Sequence, residues 1–158
     1  MKWDTRTGWR SWWRELEIIS AIIMADKKIK YLNAQDMIEF NVMALSIIKA
    51  KKADKSEVLS YQKIREVVEG CENSKGDIYD KAAFLFKKII KQHAFASGNR
   101  RTAFIITKHF LLLNGADFNI KDEPEYAKIM TGIRENYYSD AEIKKWLQNG
   151  QIREFKRR

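Results

Sequence analysis

The sequence predicts an all-α domain, a bundle of about seven helices around a central pair. Three observations carry that expectation. Apolar residues recur at three- and four-residue steps along most of the chain, capping signals punctuate it, and no alternating apolar–polar run is long enough to make a sheet the core. The 158 residues are 45% hydrophobic and 12% aromatic, with one proline and seven glycines. That composition supplies one sizeable core and little material for loops. We divide the chain into a tryptophan-rich N-terminal helical extension (1–30), a main domain (31–150) and a basic C-terminal tail (151–158).

Each element has its own warrant. From Gly8 to Ala25, Trp9, Trp12, Trp13, Leu16, Ile19 and Ile23 fall on one helical face, and this face is expected to pack on the core rather than form an exposed patch. Asn33 and Asp36 make a capping-box-like pair before a second helix, with Leu32 and Met37 as a hydrophobic staple. Met37, Phe40, Ala44, Ile47 and Ile48 supply its buried face. Lys49–Ser56 breaks the pattern and reads as a solvated connection. Glu57–Gln62 is either a short extended piece or the start of a helix running to Glu69 with Gly70 as its C-cap; the sequence leaves both open.

Asp77 is a good N-cap for a helix through Gln92 with Ile78, Ala82, Leu85, Phe86 and Ile89 inward. The most apolar helix spans Asn99–Asn114, with Ala103, Ile106, Phe110 and Leu113 buried and Gly115 as the left-handed stop. Asp122 with Glu125, and Ser139 with Glu142, are two further capping pairs, the first with Pro124 in its opening turn and the second closed by Gly150. The tail Gln151–Arg158 reads as solvated and partly frayed.

Composition also excludes function classes. No run approaches the roughly 18 apolar residues of a membrane span, and the N-terminus has no signal-peptide pattern, so a cytoplasmic protein without a membrane partner is expected. One cysteine and two histidines give neither an internal disulfide nor a zinc-type cluster. No metal ligands are therefore assigned, and Cys71 has no basic neighbour in the sequence that would make a reactive thiolate. The net charge of +9 suits an anionic partner. With no aromatic–basic repeat, nucleic acid is not the expected one.

Chemistry concentrates between the two most apolar helices, in His93-Ala94-Phe95-Ala96-Ser97-Gly98-Asn99-Arg100-Arg101-Thr102-Ala103. A glycine opening a buried helix leaves backbone N–H groups pointing one way, and the helix dipole adds positive charge there. Arg100 and Arg101 add full charges suited to phosphate oxygens. His93, just before, carries an imidazole able to take a proton from an attacking hydroxyl. His109, within the apolar helix, reads as a structural histidine.

In this order the residues resemble the signature of the Fic/Doc family, His-x-Phe-x-Asp/Glu-Gly/Ala-Asn-Gly/Lys-Arg. The likeness extends to Ala82-Ala83-Phe84-Leu85-Phe86 upstream and Phe110-Leu111-Leu112-Leu113-Asn114-Gly115 downstream, and covers about Tyr31–Gly150. Arg100, where Doc-type members carry Lys and adenylyl-transferring members Gly, and Phe104, where the latter carry Arg, make it closer to the Doc (death-on-curing) subgroup. That resemblance implies a toxin transferring the γ-phosphate of ATP to a protein hydroxyl, a threonine of translation elongation factor Tu, and a small antitoxin as second partner.

The resemblance also implies roles. His93 would be the general base, Phe95 the anchor of the loop, and Gly98 with Asn99 the anion hole, Asn99 through its side chain as well. Arg100 and Arg101 would bind the phosphates beside Ser97 and stabilise charge in transfer, while Thr102 caps or packs. Ser97 stands where the family carries the acidic ligand of Mg²⁺, which puts that cofactor in question because a neutral hydroxyl binds a hard cation weakly. Two alternatives stay open: a catalytically degenerate module binding a nucleotide or a phosphorylated partner, and a Fic-type adenylyl transferase. Thr131-x-x-x-Glu135-Asn136 fits the family's self-inhibitory pattern, whose Glu pairs with a motif arginine; we read it as coincidence.

Overall fold

A computed structural model describes residues 14–20, 28–47, 54–121, 123 and 125–157. Among them are six helices with defined bounds: α1 (Ala34–Ile47), α2 (Tyr61–Asn73), α3 (Ile78–Gln92), α4 (Asn99–Leu113), α5 (Tyr126–Arg134) and α6 (Asp140–Asn149). Residues 14–20 are helical too. The described residues contain no strand, only an isolated antiparallel bridge between Val58 and Phe95. α3 packs on α2, α4, α5 and α6, and α4 also meets α1, so α3 and α4 are the central pair of an all-α bundle, as expected.

Local signals explain most boundaries. Asn33 and Asp36 cap each other, with each backbone N–H donating to the other's side chain at 2.8 Å. Asp77 and Asp80 form a full capping box on α3, and Ser139 and Glu142 form another on α6. Lys144 of α6 reaches Asp77 at 3.2 Å and Asp80 at 3.0 Å, which ties α6 to the start of α3. Gly115 and Gly150 take the left-handed conformation that ends their helices.

Other expectations are corrected. Both readings of 57–69 hold in part: Val58 is extended, then Ser60 caps α2, which runs through Gly70 to Asn73. Gly70 is a packing residue rather than a C-cap, since a Cβ there would lie 2.5 Å from the Phe84 ring. On α1 the buried face is Met37, Asn41, Ala44 and Leu45, while Phe40 is half-buried and Ile47 is exposed; Ile48 lies outside the described residues. On α4 the two rows Asn99–Ala103–Thr107–Leu111 and Thr102–Ile106–Phe110 are buried, so the stripe turns toward Leu111 and leaves Leu113 exposed. Asp122 and Pro124 lie outside the described residues, and α5 starts after Glu125.

The two ends of the chain also differ from expectation. Leu16 and Ile19 are exposed rather than packed, and Trp3, Trp9, Trp12, Trp13 and Ile23 lie outside the described residues. The C-terminal tail is docked instead of frayed. Ile152 and Phe155 pack against the core, and Tyr138 donates its hydroxyl hydrogen to the Arg153 carbonyl at 2.9 Å. Arg153 lies over the Tyr137 ring and pairs with Glu142, holding that carboxyl below its ordinary range. Alternating Ile152 and Phe155 with charged residues gives the segment one apolar side to bury.

A buried lysine closes α2. Lys81 of α3, 6% exposed, donates to the carbonyls of Cys71 at 3.3 Å, Glu72 at 3.0 Å and Ser74 at 2.6 Å. Those carbonyls are the partly negative end of α2, so the ammonium is compensated by backbone. Cys71, expected to lack a basic neighbour, has Lys81 beside it through the fold. Burial still dominates and pushes its thiol up to about 11, which keeps it unreactive.

Candidate active site

The loop joining α3 to α4 is fixed from three sides. α3 ends as His93 adopts a left-handed backbone, φ 48° and ψ 48°, which reverses the chain without a glycine. The extended segment before α2 holds one side: Leu59 N–H and Ser60 N–H donate to the Ala94 carbonyl at 2.8 and 3.2 Å, and Ala96 N–H donates to the Glu57 carbonyl at 2.9 Å. Phe95, 1% exposed, anchors the loop in the core. From the α4 side, Asn99 clasps Phe95: its Oδ1 accepts from Phe95 N–H at 3.2 Å and its Nδ2 donates to the Phe95 carbonyl at 2.8 Å.

This corrects the expected role of the Asn99 side chain. It is buried and turned inward, so the group it offers to the cleft is its backbone N–H. Gly98 is the N-cap of α4, with φ 75° and no side-chain cap. A Cβ at Gly98 would be strained by that angle and would sit 2.8 Å from Leu45 Cδ2. The first amides of α4 are thus left uncapped at the positive end of the helix dipole.

An open cleft of about 1270 Å³ lies over this helix start. His93, Ser97, Gly98, Asn99, Arg100 and Arg101 all border it, so the six residues expected from the sequence are brought to one place. The His93 side chain is exposed there. Both arginines are turned to protein acceptors. Arg100 donates to Thr131 Oγ1 of α5 at 3.3 Å, and Arg101 pairs with Asp54 at 3.0 Å, with side-chain exposures of 22% and 13%. Thr102 is fully buried, as expected, and accepts from Asn41 Nδ2 at 3.0 Å.

Several cleft residues escaped the sequence reading. Asp54 was assigned to a solvated connection, yet it faces Arg101; its polar neighbours gave no local signal of that contact. Phe40, Met43, Tyr126 and Met130 supply apolar wall, from α1 on one side and α5 on the other. His109 is corrected from a structural histidine to an exposed one, whose ring lies 4.8 Å from that of Phe40 on the cleft wall. Glu135 pairs with Arg157 at 3.0 Å, while Thr131, the first residue of the same pattern, is the one that accepts from the motif's Arg100.

Uncapped amides, two guanidinium groups and an imidazole at one cleft can bind phosphates and take up a proton beside them. A search of curated proteins gives no significant match. The model of the Fic/DOC family matches residues 21–111, which is 91 of 158 residues and more than half of the chain. Because the matched stretch takes in α1 to α3, most of α4 and the whole of the loop with His93 and Gly98, the chain belongs to the Fic/DOC family.

Proposed function

We propose that the chain is a Doc-like phosphotransferase that moves the γ-phosphoryl group of ATP to a hydroxyl of a protein target. Family membership points to Fic-type transferase activity in general. The finer reading rests chiefly on one observation: the His93 imidazole and the uncapped start of α4 border the same cleft as Arg100 and Arg101. The target hydroxyl oxygen would form the new P–O bond, the bond from the γ-phosphorus to the β–γ bridging oxygen would break, and ADP would leave. His93 would accept the hydroxyl proton, and the Gly98 and Asn99 amides with Arg101 would hold charge on the phosphoryl oxygens.

Arg100 and Phe104 favour the Doc-like orientation of the nucleotide over the adenylyl-transferring one, because a bulky cation at 100 opposes the latter. By the same resemblance the target is a threonine of elongation factor Tu, acting places the protein in the cytosol, and a small antitoxin is its regulator. Mg²⁺ fits poorly. Ser97 offers a neutral hydroxyl, 3.4 Å from the Lys55 N–H that it accepts from, and the Asp54 carboxylate is committed to Arg101. No group of three or more His, Cys, Asp or Glu side chains among the described residues is arranged for a metal.

The same donor set favours a second reading, a module that binds a nucleotide or phosphorylated partner without turnover. Parallel labelling of a translation-competent extract with γ- and α-labelled ATP, using wild type and His93→Ala, separates the possibilities. Protein label from the γ position alone, lost in the variant, is the expected result. Label from the α position would identify an adenylyl transferase, and label from neither, with ATP bound, would identify the binding module.

A further inference from the structure

We infer that Asn41 of α1 is the positioning residue that aims the anion cradle of α4, a role that rests on the reading of that helix start as a phosphate site. Asn41 is 1% exposed. Its Nδ2 donates to the Ser97 carbonyl at 3.0 Å and to Thr102 Oγ1 at 3.0 Å, using both amide hydrogens. A carbonyl only accepts, so the group facing Ser97 is the amide nitrogen and not Oδ1. The two acceptors stand at the two ends of the segment Gly98–Arg101, and one buried side chain spans the cradle from behind.

Peptide geometry turns that contact into direction. The Ser97–Gly98 peptide is trans and planar, so a Ser97 carbonyl drawn inward toward Asn41 puts the Gly98 N–H on the opposite side. That side is the cleft, which Ser97 and Gly98 both border. The Gly98 N–H makes no hydrogen bond among the described residues. Glycine at φ 75° imposes little restraint of its own on this peptide. Rotated by half a turn, it would present a carbonyl to an incoming phosphate and bury its N–H. With its other hydrogen on Thr102 Oγ1, the Asn41 amide favours the first arrangement, because the second would set one Nδ2 hydrogen against the Gly98 N–H and leave these two donors without an acceptor in the core unless the amide turned over as well.

The test reads binding and direction separately from folding. In ¹⁵N-labelled wild type, titration with inorganic pyrophosphate should move the Gly98 amide resonance. In Asn41→Leu, and in Asn41→Asp, whose carboxylate would repel the Ser97 carbonyl, affinity should fall at least about tenfold, as expected for losing a hydrogen bond to a charged ligand, and the Gly98 response should vanish. Asn41→Asp is isosteric and keeps the test open if the leucine variant does not fold. Met37→Ala, which opens the core on the same helix away from the loop, should lower the melting temperature and keep wild-type affinity.

Retained affinity and a retained Gly98 response in the Asn41 variants would overturn the inference while leaving the phosphate site intact. Equal loss in Met37→Ala would overturn it as a mere effect of stability. An unresponsive wild type would instead overturn the phosphate reading of the cradle, and the role of Asn41 with it.

Discussion

The starts of α3 and α6 contrast with the start of α4. At α3, Asp77 accepts from Tyr79 and Asp80 N–H while Asp80 returns to the Asp77 N–H; at α6, Ser139 and Glu142 do the same for each other. Side-chain oxygens there satisfy amides that the helix cannot, and Lys144 and Arg153 then pair with the capping carboxylates. At α4 the cap is a glycine, the nearby side chain of Asn99 faces backward, and the charges beside it are cations. Capped starts spend their amides on stability, and the glycine start keeps them for a ligand.

The sharpest way to break this contrast is to close the open end. Gly98→Asp would bring a carboxylate to the first turn of α4, and loss of charge-assisted contacts should weaken ATP binding by about a hundredfold. Calorimetric titration checks this, and the protein should also melt lower because of the Leu45 contact. The reverse experiment is Ser139→Ala, which opens a capped end. It should cost about 1 kcal/mol of stability in denaturant unfolding and leave ATP affinity unchanged.

Asp54→Asn sharpens the comparison from the ligand side. Asp54 and a phosphate compete for Arg101, and removing the carboxylate charge from this largely buried pair frees the guanidinium for the ligand, so ATP should bind about threefold more tightly in the variant. Weaker binding would mean that Asp54 orients Arg101 for the ligand instead. The smallest effect concerns pH. The Arg153 hydrogen bond lowers the Glu142 titration in the folded state, so its stabilisation is present above the ordinary carboxylate range and is lost as pH falls through the folded value. Melting temperatures of wild type and Glu142→Gln should therefore differ at neutral pH and converge in acid.

What the sequence made legible was local. Asp77, Ser139 and Gly150 announce helix ends through residues three or four positions apart, and His93 to Arg101 are contiguous, so their meeting needs no knowledge of the fold. Asn41 and Asp54 were invisible because their partners lie 56 and 47 residues away, and a polar residue on a helix or in a charged stretch reads as solvated. Gly70 misled for a related reason: glycine marks a stop locally, and only the Phe84 ring above it shows that it is there for space. The tail misled through its charges, which mask two apolar residues that the fold buries.

Lys81 carries a consequence for how the bundle comes apart. Its ammonium is buried in α3 but belongs electrostatically to the last carbonyls of α2, and α3 also meets α4, α5 and α6. Pulling α2 from α3 would expose apolar surface and strand the carbonyls of 71, 72 and 74 in the same event. Amide exchange should accordingly read the end of α2 and the start of α3 as a single opening unit, slower than either helix would be alone. The scaffold beneath the cleft is thus locked by a lysine that is almost wholly buried.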